Sequence, residues 1–153
     1  MRPRYYYINS GSGVEKSELV SFDSALSHAG ISNYNLVRVS SILPGDCVRK
    51  DAVDEIPGSI LYTAYGSISS SVEGETIASA ICIGLPKDEH QIGVIMEFSG
   101  VCTEETARKK VLAMTKKAMS NHNIPCRDYL LSSAWATAVK GKCTTVISAV
   151  AMW

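Results

Sequence analysis

The sequence predicts an α+β fold, a layered sandwich of mostly antiparallel sheet covered by helices, with residues 1–153 as a single domain. Three observations favour this class. The chain has 153 residues, of which 46% are apolar, so it can bury one sizeable core. Two stretches have the spacing of an amphipathic helix, and the others are strand-like and separated by turn residues. No internal repeat or linker divides the chain, and such a mixture is typical of helices packed on an antiparallel sheet.

The first elements are a short strand and a helix. Residues 4–10 are rich in aromatic side chains and predict a strand that runs into a loop at Ser10-Gly11-Ser12-Gly13. This stretch lacks the third glycine and the Lys-Ser/Thr ending of a phosphate-binding loop, so we interpret it as a plain turn. A helix follows from Ser17, and Gly30 stands where a C-terminal capping glycine belongs. The predicted apolar face of this helix consists of Leu19, Phe22, Leu26 and Ala29.

The middle of the chain is predicted to be mostly strands. Residues 33–41 predict a strand that ends before Pro44-Gly45, and the charged residues 49–55 predict a surface loop. Turn residues then separate three further strand-like segments, at 59–70, 76–85 and 91–98.

The last third begins with a second helix. Thr103 is suited to its N-cap, and the two glutamates that follow suit its first turn. Residues 129–139 and 144–153 predict two strands joined at Lys140-Gly141-Lys142, which together would form a β-hairpin. The predicted apolar face of the helix consists of Ala107, Val111, Met114 and Ala118.

Composition excludes several classes of function. The 15 Lys and Arg residues balance the 15 Asp and Glu residues, so the chain lacks the basic surplus that nucleic acid or an anionic membrane requires. The five cysteines form no CxxC pair and the histidines lack metal-ligand spacing, so we expect neither a disulfide framework nor a metal site. No stretch resembles a signal peptide or a membrane span, which predicts a cytoplasmic protein with no membrane partner.

Two acidic residues stand at positions where apolar residues are expected. On a helical wheel Asp23 lies about 40° from Leu19 and about 60° from Leu26, which places it inside the apolar stripe. A carboxylate there needs a partner or a cationic ligand, unless it reaches solvent from the edge of the stripe. Glu97 ends an apolar strand in which alternation places Ile95 and Glu97 on one face and Met96 on the other. Desolvation there would raise its pKa, as a general acid at neutral pH requires, unless the side chain points to water.

Several segments together resemble the pyruvoyl-dependent arginine decarboxylases in order and spacing, over nearly the whole chain. The most specific stretch is Arg38-Val39-Ser40-Ser41-Ile42-Leu43-Pro44, in which two serines end a β-branched strand before a constrained turn. The other segments are Ser21-Phe22-Asp23-Ser24-Ala25-Leu26, Asn33-Tyr34-Asn35-Leu36-Val37, Thr63-Ala64-Tyr65-Gly66, Gly74-Glu75-Thr76-Ile77 and Ile95-Met96-Glu97-Phe98.

The resemblance implies that the chain cleaves itself between Ser40 and Ser41. The hydroxyl of Ser41 would attack the carbonyl of Ser40 to give an ester, and β-elimination would leave a dehydroalanine that hydrolyses to a pyruvoyl group. The product would consist of a β chain, residues 1–40, and an α chain, residues 41–153. The pyruvoyl ketone would form a Schiff base with L-arginine and serve as the electron sink for its decarboxylation to agmatine and CO2.

The same resemblance implies a role for each of these two acidic residues. Glu97 would donate the proton that replaces CO2, and Asp23 would pair with the guanidinium of the substrate, in the bidentate manner that carboxylates use for guanidinium groups. Asn35 would assist self-cleavage or orient the substrate.

The spacing of Asn35 and Ser41 bears on the assembly. They share strand parity, but six residues of extended chain span about 20 Å. If both serve one site, the chain must bend or the site must combine neighbouring subunits. The resemblance implies a homotrimer, or a hexamer as a dimer of trimers, with sites between subunits.

Two alternatives remain open on the sequence. The chain could be a pyruvoyl-dependent decarboxylase of another amino acid, or a non-catalytic oligomeric binding protein in which the Ser40–Ser41 bond stays intact. Cleavage of that bond separates the second alternative from the first.

Overall fold

The structure is a computed structural model that describes residues 1–153, and it contains two helices and two β-sheets. The α+β class with mostly antiparallel sheets is confirmed. In chain order the elements are β1 (Tyr5–Glu15), α1 (Glu18–His28), β2 (Asn35–Arg38), β3 (Ile42–Leu43), β4 (Val48–Arg49), β5 (Ile60–Ser70), β6 (Thr76–Pro86), β7 (Gly93–Val101), α2 (Glu104–Asn121), β8 (Cys126–Thr137) and β9 (Cys143–Met152).

The first sheet has five strands in the order β2-β5-β9-β1-β4. Its middle strand, β9, is antiparallel to both β5 and β1, whereas the edge strands β2 and β4 run parallel to their neighbours. Helix α1 covers the outer face of this sheet, and the second sheet covers the inner face. Because β9 is covered on both faces, every one of its residues is buried.

The second sheet has four antiparallel strands in the order β3-β7-β6-β8. Its inner face meets the first sheet in a core that includes Ile81, Ile95 and Val150. Its outer face packs on α2 through small side chains such as Ala80 and Ala107. The molecule therefore has four layers: α1, the five-stranded sheet, the four-stranded sheet and α2.

The strands β2 and β3 lie at corresponding edges of the two sheets, and both are short. Strand β2 pairs only with residues 60–63 of β5, and β3 pairs only with Gly93 and Val94 of β7. No strand therefore covers the outer edges of β5 and β7 beyond these residues. This doubly open side of the sandwich is where the predicted site residues Ser40, Ser41 and Glu97 lie.

The predicted C-terminal hairpin at Lys140-Gly141-Lys142 is wrong. Strand β8 pairs with β6 in the four-stranded sheet, whereas β9 pairs with β1 and β5 in the other sheet, so the connection crosses the sandwich. Burial explains the difference. Strand β9 is suited to the middle of a covered sheet, and the partly exposed β8 is suited to an edge. Local turn residues predict that the chain reverses, but they do not predict which strand becomes the partner.

The loop predicted at Ser10-Gly11-Ser12-Gly13 is also wrong, because β1 continues through these residues to Glu15. The two glycines lie beneath α1. A Cβ atom at Gly11 would lie 2.7 Å from the backbone nitrogen of Ala29, and one at Gly13 would lie 2.7 Å from that of Ala25. The absence of side chains at these positions lets the helix backbone rest directly on the strand.

This close approach determines which face of α1 is buried. The buried residues are Ser21, Ala25 and Leu26, and Leu19, which was predicted to be buried, is 77% exposed. Asp23, one turn after Leu19, is exposed as well, so of the two interpretations of this carboxylate the one in which it reaches solvent is correct. The helix is oriented by its small side chains, which fit over the glycines of β1, rather than by its largest apolar residues.

The ends of both helices agree with the prediction. Ser17 caps α1 by accepting a hydrogen bond from the backbone N–H of Val20, and Gly30 has the left-handed φ of 79° that a capping glycine supplies. Thr103 caps α2 by accepting a hydrogen bond from the N–H of Thr106.

The buried face of α2 differs from the prediction at one position. Ala107, Val111 and Ala118 are buried as predicted, but Met114 is 39% exposed and the adjacent Thr115 is buried in its place. Neither helix has the length and apolar composition that a membrane span requires.

Candidate active site

The predicted cleavage position lies where the chain passes from one sheet to the other. On one side, Val39 donates its backbone N–H to the carbonyl of Thr63 in the five-stranded sheet at 3.1 Å. On the other side, the carbonyl of Ser41 accepts a 2.7 Å hydrogen bond from the N–H of Ile95 in the four-stranded sheet. The peptide bond between Ser40 and Ser41 therefore spans the gap between two anchored edges. The strand predicted over 33–41 ends at Arg38 because the chain leaves the first sheet there.

Glu97 lies on β7 two residues beyond Ile95, the hydrogen-bond partner of Ser41. Residues two apart on a strand share a face and are about 7 Å apart, so Glu97 points into the layer between the sheets on the same side as Ile95. This facing agrees with the alternation predicted from the sequence, since Ile95 belongs to the core between the sheets and Met96 packs toward α2. Burial raises the pKa of Glu97, and the Arg38 guanidinium opposes that rise.

Strand β5 approaches Glu97 closely because residue 66 has no side chain. A Cβ atom at Gly66 would lie 3.0 Å from Cγ of Glu97 and 2.9 Å from Oγ of Ser99. The stem of Glu97 therefore packs against the backbone of β5, which removes water from one side of the carboxyl group and accounts for its partial burial.

A chain of hydroxyl groups leads from this position into the core. Ser99 donates to Oγ of Ser79 at 2.8 Å. Ser79 in turn donates to the carbonyl of Gly66 at 2.9 Å and shares a 2.6 Å hydrogen bond with Ser148. Ser79 and Ser148 are completely buried. The network joins four strands at the level of Glu97, so the backbone that supports this carboxyl group is held from both sheets.

Arg38 completes the cluster, although no pattern in the sequence predicts a role for it. Its Nη2 donates to the carbonyl of Tyr65 at 3.0 Å, and its guanidinium carbon lies 4.6 Å from the centre of the Tyr65 ring. The same nitrogen lies 4.0 Å from Oε1 of Glu97. Arg38 and Gly66 both occur in the segments that carry the family resemblance, which is the one sequence signal that points to them. Which residues surround Arg38 and Gly66 depends on how the two sheets stack, and that stacking is not visible in the sequence.

Asn35 and Asp23 lie apart from this cluster within one protomer. Asn35 donates its side-chain amide to the carbonyl of Gly58 at 2.8 Å and pairs in register with Ile60, at the end of β2 farthest from Ser40. Asp23 lies on the exposed face of α1. A single protomer thus brings Ser40, Ser41 and Glu97 to one edge and leaves the other two predicted residues elsewhere.

Two cavities differ in their relation to the cluster. One of about 250 Å³ is lined in part by Val39 and Ile42, the residues that flank the two serines. A larger cavity of about 600 Å³ lies at the N-terminal segment beside Arg2 and Asp46 and contains none of the predicted site residues. No group of three or more His, Cys, Asp or Glu side chains is arranged to hold a metal ion.

Comparison with known proteins identifies relatives over almost the whole chain. The family model described as pyruvoyl-dependent arginine decarboxylase (PvlArgDC) matches residues 5–153. A pyruvoyl-dependent arginine decarboxylase of Methanocaldococcus jannaschii is 41% identical over 114 residues, which cover 74% of this chain and 69% of the relative. One of Thermococcus kodakarensis is 33% identical over 152 residues, which cover 99% of this chain and 96% of the relative.

A solved structure supports the fold. A pyruvoyl-dependent histidine decarboxylase at pH 8 superposes with a TM-score of 0.54 at 19% sequence identity. The match covers 67% of this chain and 54% of that chain, so it extends over about half of the histidine decarboxylase. At this identity the likeness concerns the arrangement of helices and sheets alone.

Proposed function

The chain belongs to the family of pyruvoyl-dependent arginine decarboxylases, and we propose that it converts L-arginine to agmatine and CO2 with a pyruvoyl group formed from its own Ser41. The observation that carries this proposal is the position of the two serines. Their peptide bond spans the two sheet edges, and Glu97 lies two residues beyond the strand position that anchors Ser41. A self-cleaving bond and a proton donor are thereby held by the same strand.

The residues around Ser41 fit a pyruvoyl group. Ser40 is exposed and Ser41 is partly buried, so the bond between them is open to a hydroxyl attack and to the water that later hydrolysis needs. The hydrogen bonds of Val39 and Ser41 keep the chain in place on both sides when the bond breaks. The pyruvoyl group supplies an electron sink for the loss of CO2 from an α-amino acid.

Self-cleavage begins with two groups of this chain, and only its last step requires water. The hydroxyl of Ser41 attacks the carbonyl carbon of Ser40, and the peptide bond breaks to leave an ester between the two residues. β-Elimination then releases residues 1–40 with a terminal carboxylate and leaves a dehydroalanine at position 41. Water hydrolyses this dehydroalanine, with loss of ammonia, so that residues 41–153 form the chain that carries the pyruvoyl group. Since Ser40 contributes its carbonyl and Ser41 its hydroxyl, the two adjacent serines have different tasks.

Glu97 is suited to hold and deliver the proton that replaces CO2. Its burial against Gly66 raises its pKa, so the carboxyl group keeps a proton at a higher pH than an exposed glutamate does. Proton delivery from a carboxyl oxygen at this edge is therefore available at a higher pH than from an exposed glutamate.

Asp23 and Asn35 are proposed to serve a site that neighbouring subunits complete, in a homotrimer or a hexamer. Asp23 is an exposed carboxylate beside the exposed Leu19, and Asn35 lies at the far end of β2, so neither meets Ser41 within its own protomer. A second protomer seated on the open edges of β5 and β7 would bring such residues to the cleavage position. In this arrangement Asp23 pairs with the substrate guanidinium and Asn35 orients the substrate or the scissile bond.

Mass spectrometry of the purified protein, followed by incubation with amino acids, tests the proposal. We expect two chains, 1–40 and 41–153, with a pyruvoyl group in place of Ser41, and release of agmatine and CO2 from L-arginine. Lysine, ornithine and histidine serve as matched substrates. An intact chain would favour an oligomeric binding protein. Release of CO2 from another amino acid in place of arginine would identify that amino acid as the substrate. In sedimentation, a monomer that decarboxylates arginine would contradict the shared site.

A further inference from the structure

The Arg38 side chain bridges the two sheets, and Arg38 lies two residues before the predicted cleavage position. Its guanidinium is held from the five-stranded sheet by the carbonyl and ring of Tyr65, at 3.0 Å and 4.6 Å. It reaches Glu97 of the four-stranded sheet at 4.0 Å. Arg38 belongs to residues 1–40 and Glu97 to residues 41–153, so the ion pair joins the two chains that cleavage would produce.

The contact with Glu97 is the weaker of these attachments. A distance of 4.0 Å is longer than a hydrogen bond, so the attraction between the guanidinium and the carboxylate is only coulombic. The Arg38 side chain is 60% exposed and that of Glu97 is 32% exposed, and water weakens such a pair further. A second carboxylate close to Arg38 could therefore replace Glu97 as its partner without loss of any hydrogen bond.

Cleavage would create such a carboxylate at Ser40. In the parallel pairing of β2 with β5, Arg38 is opposite Thr63. The N–H of Val39 bonds to the carbonyl of Thr63 and is the last contact with this sheet. Ser40 is two residues from Arg38, and two residues of chain span at most about 7 Å, so its new carboxylate would form within reach of the long Arg38 side chain. When the ester is eliminated, the α-proton of residue 41 passes to a base and the bond from its Cβ to oxygen breaks. The electron pair leaves with the oxygen, as the terminal carboxylate of Ser40.

We propose that Arg38 changes its partner when the chain is cleaved, from Glu97 in the intact chain to the new carboxylate of Ser40. The proposal rests on the self-cleavage proposed above and makes Arg38 a positioning residue rather than one that touches the substrate. Cleavage then leaves Glu97 without a counter-ion, at the moment when its proton is first needed.

The surroundings of Glu97 allow Arg38 to have this effect. The charge of Arg38 acts on the Glu97 carboxyl, where it opposes the effect of burial on the pKa. The phenol of Tyr65, on whose ring Arg38 rests, is another titratable group of this cluster. The remaining groups that face Glu97 from the neighbouring strands are not titratable: Gly66 of β5, Ile81 of β6 and Ser99 of β7.

The test compares the pKa of Glu97 in the intact and the cleaved protein. Ser41→Ala supplies the intact form and the wild type supplies the cleaved form. Each is labelled with 13C at the glutamate carboxyl and titrated by NMR, and Glu97→Gln identifies the resonance. We expect the pKa of Glu97 to be higher in the cleaved form by about half a pH unit, the size of a weak and partly exposed ion pair. In Arg38→Gln the intact and cleaved forms should have the same pKa.

Two further variants separate the charge of Arg38 from unrelated effects. Arg38→Lys keeps a cation and should retain part of the shift. Lys110→Gln removes a cation that lies 4.7 Å from the ring of Phe98. Phe98 follows Glu97 in sequence but points to the other face of β7, so this variant should leave the pKa shift of Glu97 unchanged. The exchange is overturned if the wild type shows no shift on cleavage, or if the shift persists in Arg38→Gln.

A second measurement covers the case in which Arg38→Gln is not cleaved. In the cleaved wild type, pairing with Arg38 should hold the pKa of the Ser40 terminal carboxyl below the ordinary value, and an ordinary value overturns the exchange. Intact mass is measured before either titration. A wild-type chain that remains whole contradicts the proposed function together with the exchange, whereas a cleaved chain that fails the titrations contradicts the exchange alone.

Discussion

The carbonyl of Ser41 accepts a 2.7 Å hydrogen bond from the backbone N–H of Ile95, so Ser41 is tied to the strand that carries Glu97. The bond before Ser41 leads to Val39, which is tied to the opposite sheet. The bond between Ser40 and Ser41 thus lies between the last hydrogen bond to the five-stranded sheet and the first hydrogen bond to the four-stranded sheet. The segment that contains the Ser41 hydroxyl and the Ser40 carbonyl is therefore held on both sides, which leads to the first prediction.

Ser41→Ala should abolish cleavage, because it removes the hydroxyl that attacks the Ser40 carbonyl. Intact-mass measurement should then find one chain of residues 1–153 in place of two. Ser67→Ala is a matched control, since Ser67 is an exposed serine on the open edge of β5, and it should be cleaved like the wild type. Cleavage of Ser41→Ala at the same bond would contradict an attack by the Ser41 hydroxyl.

Glu97→Gln should leave cleavage intact and lower turnover, because glutamine fills the same space but does not donate an acidic proton. We expect kcat for arginine to fall about 10²- to 10⁴-fold with a small change in KM. Glu105→Gln, which removes an exposed carboxylate that pairs with Lys109 on α2, should have no effect. A raised KM with an unchanged kcat would show that Glu97 binds the substrate instead.

Asp23→Ala should mainly weaken arginine binding, because the guanidinium loses its charged partner. A charged hydrogen-bond pair of about 1.5–3 kcal/mol corresponds to a rise in KM of about 10- to 100-fold, with kcat nearly unchanged. Since Asp23 is exposed, the melting temperature should not move. Asp51→Ala, another exposed carboxylate, is the control. Steady-state kinetics in which Asp23→Ala lowers kcat alone would exchange the roles assigned to Asp23 and Glu97.

Gly66→Ala should displace Glu97 from its place between the sheets. The new methyl group would lie 3.0 Å from Cγ of Glu97 and 2.9 Å from Oγ of Ser99, closer than carbon and oxygen atoms pack. We expect kcat to fall at least about tenfold, which is the effect of a barrier increase of about 1.4 kcal/mol. Gly100→Ala, whose Cβ would meet only the tip of the Phe98 ring, should keep its turnover. Equal activity of the two variants would show that Gly66 does not position Glu97.

Gly13→Ala should destabilise the fold itself. Its Cβ would lie 2.7 Å from the backbone nitrogen of Ala25, and a helix backbone cannot yield as a side chain can. Overpacking of this kind costs about 1–3 kcal/mol in the free energy of unfolding. Urea unfolding in the uncleaved Ser41→Ala background, at equal protein concentration, measures the loss. An unchanged midpoint would contradict the close packing of α1 on β1.

Strand periodicity was enough to predict that Glu97 shares a face of its strand with Ile95. Alternate residues of any strand point to opposite faces, so Ile95 and Glu97 had to share a face whatever the partner strands were. Helix caps were equally local, since Thr103 and Gly30 act on groups within a few residues. These features follow from short-range geometry.

The features that failed depend on distant parts of the chain. Asp23 faces solvent because α1 is seated by small residues on Gly11 and Gly13, and no helical wheel contains the strand beneath the helix. The hairpin failed for the same reason, because β9 found its partners among strands far away in sequence. The contact of Arg38 with Glu97 likewise requires two stacked sheets, so only the resemblance drew attention to that stretch.

The sheet crossing at Ser40–Ser41 has a consequence for how the mature protein can fold. Strand β1, from residues 1–40, lies between β9 and β4 of residues 41–153, so cleavage would leave the two chains interleaved without breaking a sheet. After unfolding, however, the two pieces would have to meet by diffusion, and renaturation would depend on protein concentration. Only the intact chain would fold as a unimolecular process, so irreversible unfolding would limit the lifetime of the cleaved protein.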